Sequence, residues 1–559
     1  MLALAEWLRT MKGTKPIPSL KWILLGVLVA LSYFVGCRKV IEYPPSPVVS
    51  LAQGKLQGYI DSQGVWVYKG IHFAKPPVGN LRWAPPAPPD PWGDEVLKAT
   101  GYAPMCVQVD MTGSDYSRTT GDEDCLKLNI WTTSVSPDSK LPVLVFIHGG
   151  AHMSGSSSGS EATGYAWYIG SNLAKQGPAV VVTIAYRVGV LGFIGHPALS
   201  QKSGYGGSGN YGHMDQIRAL EWVRDNIAQF GGDPKKVMVF GQSGGASSTL
   251  VLLTSPRARG LFQSAIIHSM AAFTFPLADA ESKGKLVENK LGCASEDPEK
   301  VLACMRSKSP HDVTTSISND LAMGSSGVIF GPNVDGFVLP DTMMKLVRSG
   351  KQNQVPVIVG STTDEFTTIA ALMLPHEVKT EEEYTNAIAS YFSAISSTVS
   401  PTAIQAAYPS TAYPSRKEAI TALAGDYVYT CPARMLTRAL ASTHQVPVRR
   451  FLYAHTFKST GWDQYRAAHG FELLCLFGPL PKELWLTFDE SETKLSSQMM
   501  RAWTNFANSG LPDGSGFDWP LYDAKLDNYL ILDTPPRSSN EFRKTQCDFW
   551  DQYQASLYP

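Results

Sequence analysis

Residues 236–253 read KVMVFGQSGGASSTLVLL, and the interpretation of the whole chain starts from them. The apolar run 237–240 predicts a short buried strand, and the residues after 245 predict a helix. Between them lies Gly241-Gln242-Ser243-Gly244-Gly245, a G-x-S-x-G turn that places a serine where a strand gives way to a helix. The flanking glycines leave room for this sharp turn. Free N–H groups at the helix start would stabilise negative charge beside the serine. We therefore predict Ser243 as a nucleophile.

The same pentapeptide pattern occurs a second time, as GSSSG at residues 155–159. No strand pattern precedes this second match and no helix pattern follows it, so we interpret it as a loose loop rich in glycine and serine. A short motif is weak evidence by itself, and its structural context decides between the two matches.

Length and composition indicate one large domain. A chain of 559 residues could hold three or four domains, but after residue 50 it contains no linker, internal repeat or block of like charge. Its 44% hydrophobic content suits a large core, and its 48 basic and 49 acidic residues give no electrostatic footprint for nucleic acid. We predict a single α/β domain over residues 48–559 and no nucleic-acid partner.

The first 47 residues form a predicted leader and tether. Residues 22–36 are uncharged and apolar, and four basic residues precede them. Three interpretations stay open: a signal peptide, a lipoprotein signal ending at Cys37, or a short membrane anchor. Each of the three places the body outside the cytoplasm, secreted or attached to a membrane through 22–36, where disulfides persist.

Cysteine spacing allows disulfides but no metal site. The short intervals between Cys106 and Cys125, and between Cys293 and Cys304, could each close a surface loop; buried reduced cysteines are the alternative. No pair has the C-x-x-C spacing of a zinc site, and we expect neither a metal nor a cofactor. The eight cysteines are at positions 37, 106, 125, 293, 304, 431, 475 and 547.

Strand patterns alternate with helix patterns along the body. Apolar runs such as 179–186 are dense enough for parallel strands covered on both faces, and helices are predicted at 214–230 and 496–510. This alternation predicts a large, mostly parallel central sheet with helices on both faces. The predicted strands are 51–60, 65–74, 126–132, 142–148, 179–186, 237–240, 265–269, 355–360 and 448–457.

A nucleophilic serine needs a base, and the base needs an orienting acid. On sheets that carry this motif, the acid and then the histidine follow the serine, each on a loop after a strand. The acid is therefore predicted directly after strand 355–360, where Asp364 and Glu365 are adjacent and the pattern does not choose between them. Of the later histidines, at 376, 444, 455 and 469, His469 lies on a loop after strand 448–457, whereas His455 is predicted inside that strand.

An oxyanion needs backbone N–H donors. One would come from Gly244, after the serine, and the others from the glycine-rich turn His148-Gly149-Gly150-Ala151 at the end of strand 142–148.

Taken together, these segments resemble the type-B carboxylesterase family, which includes cholinesterases and the non-catalytic neuroligins. The resemblance spans about residues 48–553. It rests on the following segments: KGIHFAKPPVGNLRWAPP (69–86), EDCLKLNIW (123–131), HGGAHMSGSS (148–157), YRVGVLGF (186–193), GNYGHMDQIRALEWVRDNIAQFGGDPKKVMVFGQSGGA (209–246), GPNVDGFVLP (331–340), GSTTDEF (360–366), HGFELLCLFG (469–478) and CDFWDQYQ (547–554).

The resemblance implies an α/β-hydrolase fold and a serine esterase that acts on small or lipid-like esters through an acyl-enzyme. It implies Ser243 as nucleophile, Glu365 as acid and His469 as base. The oxyanion donors would be Gly150, Ala151 and Gly244. It also implies the disulfides Cys106–Cys125, Cys293–Cys304 and Cys431–Cys547, with Cys475 as a buried thiol.

The chain departs from the family pattern in a few places. Gln242 stands where many members carry glutamate, and Ala151, Met270 and Phe366 replace glycines. None of these changes removes a catalytic group, which argues against the alternative of a catalytically silent, neuroligin-like binding protein. In cholinesterases a tryptophan in the loop closed by the first disulfide binds the choline cation, but residues 107–124 contain none here.

Overall fold

A sheet of thirteen strands organises the body in the computed structural model, which describes residues 43–558 except 111–116, 160–165, 318–329, 374–376, 396 and 479–485. The apolar segment 22–36 lies outside the described residues, and the division into a leader and one domain stays a prediction. Within the described ranges, no helix has both the length and the apolar character needed to cross a membrane.

The sheet runs in the order β1-β2-β3-β7-β9-β8-β10-β11-β12-β13-β14-β15, with β4 beside β2 and a separate pair β5-β6. From β9 to β14 neighbouring strands are parallel, and the pairs at the edges, β1-β2-β3-β7-β9 and β14-β15, are antiparallel. The strands are β1 (Pro45–Leu51), β2 (Gly54–Ile60), β3 (Trp66–His72), β4 (Gly93–Lys98), β5 (Gln108–Val109), β6 (Thr119–Thr120), β7 (Lys127–Thr132), β8 (Leu141–Ile147), β9 (Val180–Ile184), β10 (Gly232–Gln242), β11 (Ser264–His268), β12 (Val357–Thr362), β13 (Val448–Tyr453), β14 (Asn528–Leu532) and β15 (Arg537–Asn540).

Successive side chains of the central strands enter two different cores. In β8, Val143 and Val145 pack in one cluster while Leu144 and Phe146 pack in another, and β10 alternates in the same way. Because side chains of a strand point alternately to opposite faces, both faces of the sheet are buried. The predicted α/β-hydrolase architecture, a mostly parallel sheet covered on both faces, is confirmed.

Helices cover both faces. They are α1 (Ser171–Gln176), α2 (Gly189–Phe193), α3 (Pro197–Lys202), α4 (Tyr211–Asn226), α5 (Gly244–Thr254), α6 (Leu277–Lys290), α7 (Pro298–Ser307), α8 (Pro310–Thr315), α9 (Met343–Arg348), α10 (Thr367–Met373), α11 (Glu381–Tyr391), α12 (Pro401–Ala407), α13 (Arg416–Gly425), α14 (Cys431–Thr443), α15 (Glu472–Phe477), α16 (Glu490–Ser509), α17 (Lys544–Asp551) and α18 (Gln554–Leu557). A π-helical turn, Asp426–Thr430, joins α13 to α14 and is called the π-turn below.

Two local predictions were wrong. The strand predicted at 448–457 ends at Tyr453, so His455 lies beyond β13, where its ring is hydrogen-bonded to Glu492 and Asp533. The loop 155–159 is irregular as predicted but not loose, because Ser156, Ser157 and Ser158 are all buried. Polar side chains satisfied by neighbouring polar groups can lie in a core, and hydrophobicity patterns do not detect this.

The part of the chain that the structure describes contains three disulfides, Cys106–Cys125, Cys293–Cys304 and Cys431–Cys547, which are the pairs that the resemblance implied. Cys475 is a buried free thiol on α15, and burial raises its pKa to about 12. A thiol with so high a pKa is a poor nucleophile at neutral pH.

Candidate active site

The turn between β10 and α5 holds Ser243 in a strained backbone conformation, with φ 58° and ψ −125°. Its N–H donates to the carbonyl of His268 at the end of β11 (2.9 Å). A Cβ on Gly245 would lie 2.0 Å from the carbonyl oxygen of Ile147, and one on Gly241 would lie 2.2 Å from the carbonyl of Gly245. Backbone contact on both sides therefore requires the two outer glycines of the motif, and the serine is held at the carboxyl end of the sheet.

Glu365 follows β12 and lies buried at the same edge of the sheet. Its Oε1 accepts from the backbone N–H of Thr362 (2.7 Å) and from the hydroxyl of Ser269 (2.6 Å). Its Oε2 lies 2.6 Å from Nδ1 of His469. One oxygen therefore fixes the carboxylate, and the other is left for the imidazole.

Asp364, which the sequence pattern did not separate from Glu365, faces elsewhere. Its carboxylate accepts from the hydroxyl of Thr363 (2.7 Å) and lies 3.3 Å from Nε of Arg466. Its backbone N–H donates to the carbonyl of Ala467 (3.2 Å), which ties the two loops together. Asp364 contributes its backbone to the site, and Glu365 contributes its carboxylate.

His469 follows β13 on a loop, and its side chain is 11% exposed. Because Glu365 accepts at Nδ1, that nitrogen carries the proton and Nε2 is left as an acceptor. Nε2 is buried and has no hydrogen-bonding partner in the part of the chain that the structure describes. The imidazole is therefore oriented by a carboxylate and keeps one free lone pair.

The turn after β8 lies against the start of α5. Gly150 and Ala151 have positive φ values of 103° and 54°, and a Cβ on Gly244 would lie 2.9 Å from the backbone nitrogen of Ala151. His152 ties this turn to α5, since its Nε2 pairs with the hydroxyl of Ser248 (3.1 Å). The residues predicted as oxyanion donors are therefore next to one another, around the first N–H groups of a helix.

Three buried histidines surround this turn. Burial lowers the pKa of His148 to about 4 and that of His152 to about 3, and it lowers the pKa of His213 well below its ordinary value. All three are therefore neutral at physiological pH and add no positive charge beside the turn.

Two groups at the site escaped sequence reasoning. Ser269 lies just after β11, between the strands that lead to Ser243 and Glu365, and its position at a strand end was the available signal. Tyr429, on the π-turn, packs its ring against the imidazole of His469 with 4.3 Å between centroids. Nothing in its local sequence pattern predicts this contact, which arises from tertiary packing.

Asp426, three residues before Tyr429, begins the π-turn and is buried. Burial and the charge of Glu365 raise the pKa of Asp426 to about 7, although Arg543 and the hydroxyl of Tyr408 act in the opposite direction.

Among the described residues, no group of three or more histidine, cysteine, aspartate or glutamate side chains could hold a metal ion.

Comparison with known proteins gives consistent matches over the body. The model of the carboxylesterase family matches residues 45–550. Carboxylesterase 1D of Rattus norvegicus is 34% identical, with 93% of this chain and 96% of that protein aligned. Acetylcholinesterase of Bungarus fasciatus is 32% identical over 98% of this chain and 92% of its own length. Among solved structures, a thermophilic PNB esterase superposes with a TM-score of 0.75 at 29% identity, covering 90% of this chain and 99% of that one.

Proposed function

Because this chain belongs to the carboxylesterase family and is a carboxylic ester hydrolase, we propose that it cleaves its substrates through an acyl-enzyme. In this mechanism Ser243 is the nucleophile, His469 the general base and Glu365 the orienting acid. The observation that carries the proposal is the contact of 2.6 Å between Oε2 of Glu365 and Nδ1 of His469, which leaves Nε2 free to accept a proton.

In the first step, Oγ of Ser243 attacks the ester carbonyl while its proton moves to Nε2 of His469. The imidazolium that forms is stabilised by the carboxylate of Glu365 and then gives its proton to the departing alcohol. In the second step a water molecule loses a proton to the same nitrogen and attacks the acyl group. The acid is released and Ser243 regains its proton.

The negative charge that develops on the carbonyl oxygen is assigned to the backbone N–H groups of Gly150, Ala151 and Gly244. Support comes from the packing of the turn 149–151 on the start of α5, where helical N–H groups have no partners within the helix. Loss of one oxyanion donor typically costs about 3–4 kcal/mol of transition-state stabilisation.

A covalent label tests the proposal most directly. An organophosphate should modify one residue per molecule with loss of activity, and peptide mapping should place the modification on Ser243. Hydrolysis should also rise with pH through a single step near neutrality, because the imidazole must be neutral to accept a proton. A label elsewhere, or a flat profile from pH 5 to 9, would contradict the assignment. Complete resistance to labelling would instead favour the silent, neuroligin-like alternative.

For the substrate, we propose a small or lipid-like neutral ester and not a choline ester. A desolvated cation–π contact contributes about 2 kcal/mol, or roughly 30-fold in kcat/KM, and the loop 107–124 has no tryptophan to provide it. Butyrylthiocholine should therefore be hydrolysed no faster than its uncharged 3,3-dimethylbutyl isostere. A preference of about tenfold or more for the choline ester would restore the choline interpretation.

We also propose that the body works outside the cytoplasm, behind a leader formed by residues 1–47. Three disulfides support this location, since such bonds persist in oxidising compartments. Alkylation without reductant should leave six of the seven cysteines after residue 37 unmodified. Modification of all seven would place the protein in a reducing compartment.

A further inference from the structure

His268, at the end of β11, supports the proposed nucleophile through its backbone. Its carbonyl oxygen accepts from the N–H of Ser243 (2.9 Å). In the parallel pairing of β10 with β11, His268 also lies beside Gln242, the residue that precedes the serine. A change in the position of His268 would therefore move the backbone on which the serine hydroxyl is carried.

The side chain of His268 is completely buried, and one hydrogen bond fixes its tautomer. Nε1 of Trp503, on α16, donates to Nε2 of His268 (3.2 Å). Because an indole N–H can only donate, Nε2 is the unprotonated nitrogen of a neutral imidazole, and Nδ1 carries the proton. The rings of Phe451 and Phe240 lie next to the imidazole, with 5.3 and 6.2 Å between centroids. The imidazole is therefore held in one orientation.

The protonated nitrogen of His268 lies close to a buried carboxyl group. Its Nδ1 is 3.3 Å from Oε1 of Glu472. The two atoms are not aligned as a hydrogen bond, and neither oxygen of Glu472 has a hydrogen-bonding partner within the described residues. A buried carboxyl group without hydrogen bonds is costly, so the N–H dipole of His268 is a contact that favours the observed position of Glu472. Glu472 begins α15, three residues after His469, and the contact joins the loop of the proposed base to the end of β11.

The same loop also contacts the end of β10. A Cβ on Gly470 would lie 3.4 Å from Nε2 of Gln242, so the loop packs closely against that side chain. Residues 469–472 therefore lie across two neighbouring strand ends. One of these strands leads into Ser243, and the other provides the carbonyl that holds the serine N–H.

We propose that His268 is a positioning residue: its side chain, held between Trp503 and Glu472, keeps the backbone of the proposed nucleophile and the loop of the proposed base in register. The inference rests on the proposed function, since it takes Ser243 as nucleophile and His469 as base. It adds a residue outside the serine, acid, histidine and oxyanion positions. In this role the imidazole of His268 exchanges no proton during turnover and acts through geometry alone.

The test compares His268→Leu with His268→Gln. Leucine removes both polar contacts, whereas glutamine offers an acceptor to Trp503 and a donor toward Glu472. Each rate is divided by the number of serines that a phosphonate titrates, so that a loss of folded protein does not count. In His268→Leu, kcat for p-nitrophenyl butyrate and the rate constant for phosphonylation should both fall about 3- to 10-fold, with KM nearly unchanged. In His268→Gln both rates should return to within about twofold of wild type.

His455→Leu is the matched control. Nε2 of His455 lies 3.1 Å from Oε1 of Glu492, which makes a second buried contact between an imidazole and a carboxyl group. Because that contact does not involve the strand end that holds Ser243, both rates per titrated serine should stay at the wild-type level. Wild-type rates in His268→Leu would overturn the inference. An equal loss in His455→Leu, or no recovery in His268→Gln, would show that packing and not the polar contacts is responsible, and would also overturn it.

Trp503→Phe tests the same contact from the other side of the imidazole and carries the test if His268→Leu does not fold. Loss of the indole N–H should lower both rates about two- to threefold, and the change should add nothing in the His268→Leu background. Unchanged rates in Trp503→Phe would overturn the inference. If Ser243→Ala stayed active, the proposed function would fail first. If Ser243→Ala is inactive and the His268 and Trp503 variants behave like wild type, the inference alone fails.

Discussion

The pentapeptide pattern G-x-S-x-G occurs twice in this chain, and the two copies have opposite surroundings. At 241–245 it lies between β10 and α5, where the N–H of Ser243 donates to the carbonyl of His268 at the end of β11 (2.9 Å). At 155–159 it lies in a buried irregular loop, where the hydroxyl of Ser157 accepts from Nδ2 of Asn129 (3.1 Å). The difference teaches that the five residues do not fix their own surroundings, and the proposal of Ser243 as nucleophile rests on the strand and helix around it.

The second copy nevertheless supports the site. A Cβ on Gly155 would lie 2.3 Å from Nδ1 of His148 and 2.6 Å from the carbonyl oxygen of Gly149, so this glycine packs directly behind the turn proposed to hold the oxyanion. Gln108 holds the loop in place, accepting from the N–H of Gly155 (2.8 Å) and donating to its carbonyl (2.9 Å). One copy of the pattern is proposed to do chemistry, and the other braces the backbone beside it.

The largest difference between the copies should come from removing each serine hydroxyl. Ser243→Ala should lower kcat by roughly 10³-fold or more with a much smaller change in KM, because the hydroxyl acts in bond formation. Ser157→Ala should keep kcat within about threefold and lose about 1 kcal/mol of stability, the usual contribution of one hydrogen bond. Steady-state kinetics and urea unfolding measure both quantities. Ser243→Ala with a tenth of the wild-type kcat would remove the distinction.

A second contrast concerns Glu365, the carboxylate proposed to orient the base, and its neighbour Asp364. Glu365→Gln should lower kcat by about 10²-fold or more, because the amide no longer holds the imidazole in the required tautomer. Asp364→Asn is the matched control one residue away, and its kcat should stay within about threefold. Kinetics with one p-nitrophenyl ester suffice, and a reversed order of the two effects would move the acid to Asp364.

A smaller effect on the activity profile should come from changing Gln242, the residue before Ser243. Gln242 is buried beside Ser243, and its amide nitrogen lies 3.4 Å from the position of a Cβ on Gly470. Gln242→Glu should shift the acid limb of the activity profile upward by about half to one pH unit, because an added carboxylate favours the protonated imidazole. Gln242→Leu, which adds no charge, should leave the limb in place. If both variants moved the limb equally, packing and not charge would be the cause.

The smallest effect on chemistry should come from the disulfide next to the second copy. The double variant Cys106→Ala, Cys125→Ala opens a loop with a sequence separation of 19 and should cost about 3 kcal/mol of stability. Because Gln108 still holds Gly155, kcat should change less than about threefold at temperatures where the protein stays folded. Thermal unfolding and kinetics on the same preparation check this, and a collapse of kcat in folded protein would show that the brace depends on the disulfide.

Sequence patterns predicted the parallel middle of the sheet because strands buried on both faces are continuous apolar runs. The predicted strand extended past the end of β13 and included His455, because a buried histidine beside apolar residues fits a strand pattern as well as a loop. The patterns did not choose between Asp364 and Glu365, since the choice depends on a backbone N–H of Thr362 that fixes one carboxylate oxygen. Ser269 was missed although its position just after β11 was an available signal, and Tyr429 was missed because only tertiary packing brings it to the site.

The long-range disulfide has a consequence for the order of events during biosynthesis. Cys106–Cys125 and Cys293–Cys304 join cysteines 19 and 11 residues apart, whereas Cys431 and Cys547 are 116 residues apart. At a synthesis rate of about 5–20 residues per second, Cys431 waits roughly 6 to 23 seconds for its partner. Once the two local bridges have closed, Cys475 is the competing thiol that appears within that interval, and its burial in the core on α15 removes it from the competition. Burial of Cys475 before residue 547 is synthesised would therefore favour the native pairing at the end of the π-turn.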